Sequence, residues 1–448
     1  MNSIKVDFSK IKGEIKALHG VCCAPYSINA GPNQGAIDRF FKEGHIPYCR
    51  LHDCTGGYGG TYFVDIPNVF PDFDADENDP ANYDFHYSDE YIKAIQDSGC
   101  EAYYRLGVTI EWGSKKYTSV MPSDFSKWAR ICEHIIMHYN KGWADGFEYD
   151  LKYWEIWNEP ENPGNQWGPC QWSGTKEEFY DLYRVTSKYL KEKFPEIKIG
   201  GYGSCGFYEV TREKIPAGFK AFVPYFVDFL KMIKEENLPL DFYSWHIYTG
   251  DELELLAHAK YVRETLDSFG LTETESHLNE WNIHAEGRGF PSKHTMEGAS
   301  FNAAVLSMLQ ETPYLDKAMY YAFQYRTGYN GFTNPITHEA QYPWFSFVAF
   351  GELYSLKNHV DVATEGEHIY ATAATNGKTS GVLLSNFKNE DGVIKTELSG
   401  IPENATVTLY RIREGEMLKE DFSVSASGNL ALKINLPLWQ VAYLKIEA

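Results

Sequence analysis

Eight short apolar runs, each followed by a longer stretch with helical periodicity, fill the chain as far as residue 357. They are Ala17–Val21, Tyr48–His52, Ala102–Leu106, Lys152–Trp157, Ile197–Tyr202, Phe242–His246, His277–Glu280 and Ala318–Phe323. Their starts lie roughly 30–55 residues apart, which leaves room for one helix and two loops between parallel strands. Eight such units predict an α/β fold, a closed (β/α)8 TIM barrel. The helical stretches carry their own punctuation. Ser88 is expected to cap a helix running to Ser98 and ended by Gly99, and Ser123 to open an amphipathic helix with Trp128, Ile131, Ile135 and Ile136. Thr175 and Glu178 form a capping-box pattern before Phe179, Leu182 and Tyr183. Phe226, Leu230 and Ile233 repeat at helical spacing. Tyr342–Leu356 reads as the last helix, with Pro343 tolerated in its first turn.

Beyond this point the texture changes. Tyr370–Ala374, Gly381–Phe387, Thr406–Ile412 and Val441–Ile446 are rich in β-formers, and Asn376-Gly377, Asp391-Gly392, Pro402 and Gly428-Asn429 are turn signals between them. The expected division is a barrel over 17–357 and an accessory C-terminal β-sandwich over 358–448. Ile4–Val6 and Phe8, within 1–16, are candidates for a further strand of that sandwich.

The 448 residues are too many for one small core, which agrees with two units. A net charge of −21 without a basic stripe disfavours nucleic acid as a partner and leaves neutral partners unpenalised. No apolar run reaches the about 18 residues of a membrane span. The start, MNSIKVDFSKIKGEIKALHG, has neither an apolar core nor a cleavage pattern of a secretory signal, so a cytoplasmic location is expected. The 8 cysteines show no zinc-ribbon spacing and read as reduced, buried thiols. His134-x-x-x-His138 lacks the carboxylate of a zincin helix, and the acidic residues from Asp72 to Asp79 lack the glycine of an EF-hand loop. No metal or organic cofactor is expected.

In such barrels reactive groups sit at the C-terminal ends of the strands. The fourth run ends in Trp154-Glu155-Ile156-Trp157-Asn158-Glu159-Pro160, and the seventh in Asn279-Glu280-Trp281-Asn282. Strand alternation would turn Glu155 and Glu159 the same way, with Glu155 deeper as a buried ion-pair partner and Glu159 at the rim. Glu159 and Glu280 then face each other across the mouth. Two glutamates converging on one cleft are the minimum equipment for glycoside hydrolysis. A second carboxylate nearby should raise Glu159 and keep it protonated. Asn158 is placed to bond a substrate hydroxyl. Aromatic faces in the mouth loops offer stacking surfaces for sugars, and Trp112 beside Glu111, Trp167, Trp172 and Trp281 are the candidates.

The Trp154–Pro160 segment together with Glu280 resembles the retaining glycoside hydrolases of clan A. Within that clan the chain is most like family 39, which holds β-xylosidases and α-L-iduronidases. Cys49-Arg50-Leu51-His52 resembles that family's Arg-x-His run, and His246-Ile247-Tyr248 its His-x-Tyr pair. The strand-seven run Asn279-Glu280-Trp281 is closer to the arabinofuranosidases of family 51. The resemblance covers nearly the whole length, including the trailing sandwich. It implies Glu159 as general acid/base, Glu280 as nucleophile, Arg50 and Tyr248 as groups that hold Glu280 ionised, and His52 and His246 as supporting groups near a sugar or the acid/base.

These readings imply a retaining, exo-acting, β-xylosidase-like enzyme on plant-type oligosaccharides, with a carboxyl separation of about 5–5.5 Å. An α-L-arabinofuranosidase is the alternative sugar specificity, and a non-catalytic carbohydrate-binding protein the alternative of another class. An inverting hydrolase would need a gap of about 6.5–9.5 Å. A glycoside or oligosaccharide is the expected partner, with no nucleic acid and no membrane. A homo-oligomer is implied by the family alone, since no stretch of sequence identifies an interface.

Overall fold

The computed structural model describes residues 2–25, 34–55, 62–283, 290–325, 327–413 and 416–448. Fifteen strands run in chain order: β1 (Asn2–Glu14), β2 (Ala17–Cys22), β3 (Tyr48–Leu51), β4 (Glu101–Leu106), β5 (Tyr153–Ile156), β6 (Lys198–Ser204), β7 (Phe242–Tyr248), β8 (Glu275–Asn282), β9 (Lys317–Tyr321), β10 (Asn358–Glu365), β11 (Ile369–Thr375), β12 (Thr379–Asn386), β13 (Val393–Arg413), β14 (Glu416–Asn435) and β15 (Gln440–Glu447). Strands β2 to β9 close into a parallel barrel in sequence order. All eight predicted runs are strands of this barrel, with ends shifted by at most two residues.

The barrel strands are buried along nearly their whole length. One face packs on the helices and the other fills the barrel, as parallel strands require. The interior is layered. At the bottom, Tyr103 stacks on Tyr153 at 5.4 Å and Phe242 on His277 at 4.8 Å. Above them lies a charged and polar layer of Arg50, Glu155, Ser244 and Asn279, all buried. The catalytic candidates rest on that layer.

Capping follows the expected chemistry with small displacements. Thr175 and Glu178 close a full capping box on helix Lys176–Lys193. Asp124, not Ser123, caps helix Phe125–Lys141, accepting from the Lys127 amide. Ser88 lies inside helix His86–Asp97, where its hydroxyl bonds the Phe85 carbonyl. Gly99 follows that helix at φ +84°, a conformation glycine adopts freely.

The remaining strands form a seven-stranded sheet in the order β1-β10-β11-β12-β15-β13-β14. β13 is the joint that folds it into a sandwich. Its first half pairs in parallel with β1, from Asn2↔Ile394 to Asp7↔Ser399. After register shifts between Ser399 and Ala405, its second half pairs with β15. Ile4, Val6, Val360, Leu384 and Leu444 form a core of the sandwich's own. Helices Met296–Gln310 and Tyr342–Leu356 lie between barrel and sheet and are buried on almost every side, which explains why apolar residues fall on all their faces. A polar tie reinforces the contact. Glu252 of the barrel accepts from Lys388 at 2.8 Å and Tyr370 at 2.9 Å and meets His368 Nδ1 at 2.5 Å. Among the described residues no helix is long and apolar enough to cross a membrane.

Candidate active site

The C-terminal ends of the barrel strands surround a cavity of about 380 Å³, lined by His52, Asp53, Trp112, Asn158, Glu159, Glu280 and several tyrosines among other residues. Arg50 is its floor. The guanidinium is fully buried and spends its donors on three partners: Nε on Glu155 at 2.6 Å, Nη1 on Glu280 at 2.7 Å and Nη2 on Asn158 at 2.7 Å. Burial pulls the Arg50 pKa down, but the charges of Glu155 and Glu280 outweigh it and push the value well up. Glu155 also accepts from Ser244 and Asn279, each at 2.6 Å. Its burial would raise its pKa, and Arg50 more than offsets that, so Glu155 sits below the usual carboxylate range. Gly203 makes room for this layer. At φ +61°, a Cβ there would stand 3.0 Å from Asn158 Oδ1 and 3.1 Å from His246 Nε2.

Glu159 does not reach the cavity by strand alternation. β5 stops at Ile156, and the chain coils with Trp157 at φ 72° and Glu159 at φ 44°, both in the left-handed region that non-glycine residues avoid. Backbone bonds hold the coil: Trp157 N–H to Leu106 at 2.7 Å and Glu159 N–H to Tyr202 at 3.0 Å. The side chain accepts from Asn162 at 2.7 Å and meets His246 Nδ1 at 2.9 Å.

A single extra residue orients Glu280. In the β7–β8 ladder Trp245 pairs Leu278 and His246 pairs Glu280, so Asn279 is one residue too many. Such a bulge reverses the inward–outward alternation. Asn279 and Glu280 both point into the barrel, and Glu280 accepts from Tyr248 at 2.7 Å. The same bulge turns Trp281 outward, and that residue corrects the sequence reading. It is fully buried among Phe301, Tyr320 and Phe347 and faces no substrate.

The other aromatic candidates divide. Trp112 lines the cavity and is 49% exposed. Trp167 is exposed but stands outside the cavity lining, and Trp172 is buried against Trp157 and Phe179. Glu111 braces a loop by accepting the amides of Tyr117, Thr118 and Ser119.

The electrostatics of the acid/base candidate also differ from the sequence reading. Burial raises Glu159, but the hydrogen bond and charge of His246 outweigh it, and its pKa falls below the usual range. His246 moves the other way. Burial lowers it, and the charges of Glu280 and Glu159 push it above the ordinary imidazole value. Their shared hydrogen bond therefore favours a proton on the His246 side over one on Glu159. One oxygen from each of Glu159 and Glu280 and one ring nitrogen of His246 lie within 4.8 Å of one another, close enough to hold a metal ion. They already bond each other, Arg50 and Tyr248, and the adjacent Arg50 and the raised His246 disfavour a further cation.

His52 is held by a group that sequence reading passed over. Arg105, fully buried, donates Nε to His52 Nδ1 at 3.1 Å and is itself anchored on Asp65 at 2.5 Å. Burial first, then the charges of Arg105 and Arg50, keep His52 well below the ordinary imidazole range. Asp53, Tyr321, Tyr329, Tyr208 and Cys205 also line the cavity and were not anticipated. Asp53 was the easiest to find, since it follows His52 directly past the end of a strand.

The sequence profile of glycosyl hydrolases family 39 matches residues 62–309, more than half of the chain. The chain belongs to glycosyl hydrolase family 39. A β-xylosidase of Geobacillus stearothermophilus is 27% identical over 222 residues, which make up 45% of this chain and 39% of that enzyme. The chain thus matches well under two thirds of that relative's length. Among solved structures, a glucosidase from Croceicoccus marinus superposes with a TM-score of 0.78 at 20% identity, covering 100% of this chain and 99% of that one. A monomeric β-xylosidase from Caulobacter crescentus gives 0.73 at 13% identity, covering 100% and 99%. At these identities the structures speak for the fold.

Proposed function

We propose that the chain is a retaining glycosidase that removes a terminal β-linked sugar, with a β-xyloside as the leading substrate. The observation that carries this reading is the approach of Glu159 and Glu280 to within 4.8 Å over one cavity floor. That spacing suits a nucleophile and an acid/base acting from opposite sides of one anomeric carbon, and leaves too little room for the water of an inverting mechanism. The small cavity supports exo action. The β-xylosidase names of the relatives support the sugar.

In the first step a Glu280 oxygen attacks the anomeric carbon. The bond to the leaving oxygen breaks, and Glu159 gives that oxygen a proton. His246 supplies the proton to Glu159 along their shared hydrogen bond. Arg50 and Tyr248 hold Glu280 aimed, each donating to one of its oxygens at 2.7 Å. In the second step water attacks the same carbon, Glu159 takes its proton, and the ester bond to Glu280 breaks.

The test is hydrolysis of a panel of 4-nitrophenyl glycosides by wild type, Glu280→Ala and Glu159→Gln, with the first-formed anomer followed by NMR. The expected result is turnover of β-D-xyloside with retention, abolished in Glu280→Ala. Glu159→Gln should fall about 10²–10⁴-fold on substrates with poor leaving groups. Inversion at the anomeric centre would overturn the mechanism. Turnover that persists undiminished in Glu280→Ala would overturn the assignment of the nucleophile.

A further inference from the structure

Next to the nucleophile, Asp53 stands beside His52, the histidine of the Arg-x-His run, and neither a motif nor a relative's name gives Asp53 a role. Arg105 donates to His52 Nδ1 at 3.1 Å, so that nitrogen must accept, and the proton of the neutral ring is on Nε2. Nε2–H faces Asp53 Oδ1 at 3.4 Å and Glu280 Oε1 at 3.7 Å. Asp53 lies just past β3, with its backbone at φ 57°, a left-handed conformation that Asp and Asn tolerate better than other side chains. Its Oδ2 accepts from Tyr321 at 2.5 Å, while its buried Oδ1 accepts no hydrogen bond from any described residue. A buried carboxylate oxygen left without a partner is costly unless something else supplies a donor.

We propose that Asp53, standing beside the Arg-x-His histidine His52, reads a hydroxyl of the glycone and restricts the enzyme to neutral sugars. The inference rests on the glycosidase reading above, since it is Glu280 that marks this end of the cavity as the glycone side. The chemistry follows from the two groups. A hydroxyl donates and accepts at once, so it satisfies His52 Nε2–H and the Asp53 carboxylate together. An ether oxygen or a methyl group satisfies at most one of them. A uronic acid would bring a further carboxylate beside Asp53, Glu159 and Glu280, and among the described residues no lysine or arginine lines the cavity to balance it. Arg50 is already shared among Glu155, Glu280 and Asn158.

Two variants test this. Asp53→Asn keeps the shape and the left-handed backbone while removing the charge. Asp53→Gly removes the whole side chain at a position where glycine carries no backbone penalty. Thermal unfolding of each establishes that the variant is folded. D-Xylose and D-glucuronate binding are then measured by calorimetry, and kcat/KM on 4-nitrophenyl β-D-xyloside and β-D-glucuronide by absorbance.

Losing a charged hydrogen bond to a sugar should weaken D-xylose about tenfold or more in both variants. Removing the charge should raise the glucuronide-to-xyloside ratio by about tenfold in Asp53→Asn. Xylose affinity within twofold of wild type in both folded variants, or an unmoved ratio, would overturn the proposal. Wild type that binds xylose but hydrolyses nothing would overturn the glycosidase reading and leave the role of Asp53 to the binding data. Wild type that binds neither sugar would overturn both.

Discussion

The substitution that separates the scaffold of this site from its chemistry is Glu155→Gln. Glu155 touches no substrate. It lies under the cavity floor, fully buried, and takes 2.6 Å hydrogen bonds from Arg50, Ser244 and Asn279. A glutamine can still satisfy this geometry. Its oxygen would face Arg50 Nε, and its amide group could donate to Asn279, whose Oδ1 has no partner among the described residues. What is lost is the negative charge. Breaking a buried ion pair by removing one partner costs about 3–5 kcal/mol. Here Arg50 retains Glu280 at 2.7 Å, so the loss should fall at or just below that range, about 2–4 kcal/mol. The assay is urea unfolding followed by tryptophan fluorescence, which reports on buried tryptophans such as Trp154 and Trp157, packed on the outer side of the barrel strands. The pH dependence supplies a second check. Glu155 titrates below its ordinary value of 4.5 when folded, so its stabilisation is present above that pH and is lost as pH falls through the folded pKa. The gap between wild type and variant should be full at pH 7 and close in strong acid. A gap under about 0.5 kcal/mol at pH 7, or one that widens on acidification, would refute the account of Arg50 as a guanidinium balanced between two carboxylates.

Two further substitutions probe other parts of the site. His246→Asn should destabilise most between pH 4.5 and 6.5, the ordinary values of the two partners, because the depressed Glu159 contributes above the lower and the raised His246 below the upper. Thermal melts across pH 3–9 check this, and a destabilisation that does not vary with pH would sink the proton-sharing pair. Trp281→Ala should cost about 3–5 kcal/mol of stability as a core cavity, whereas Trp112→Ala should leave stability within about 0.5 kcal/mol and raise KM for oligosaccharides about two- to tenfold. Parallel unfolding and kinetics decide this, and the reverse pattern would contradict the orientations described.

The barrel was legible because its strands are short, apolar and regularly spaced, and because no alternative closes eight parallel units so simply. The glutamate pair was legible because each carboxylate lies at the C-terminal end of a strand-like run and within two residues of a tryptophan. The limits are equally specific. Trp281 misled because it reads as a mouth-loop residue just past the strand, whereas β8 runs on to Asn282, and a strand residue next to the inward Glu280 faces outward. Glu159 was expected to be raised by a neighbouring carboxylate. His246, which lies far along the chain but 2.9 Å away in space, reverses the sign. Arg105 escaped notice because a lone arginine inside a strand says nothing of which histidine nitrogen it will meet. Ser88 and Ser123 were each assigned a cap on residue type alone, where the first turn of the helix began slightly elsewhere.

The pairing of β1 with β13 has a consequence for the order in which the molecule is assembled. Asn2 lies beside Ile394, so β1 finds this neighbour only after the eight barrel strands between them have been made. Contacts so distant along the chain are late to form, since the loop must close before it is rewarded. The barrel can complete its ring from sequential neighbours while β1 waits as an unpaired edge. Lys5, Lys10 and Lys12, with Asp7, punctuate that edge with charge, a composition that discourages pairing with the wrong chain in the interval. The sandwich thus acts as a clasp, joining β1 to β10 and β13 around a barrel already closed.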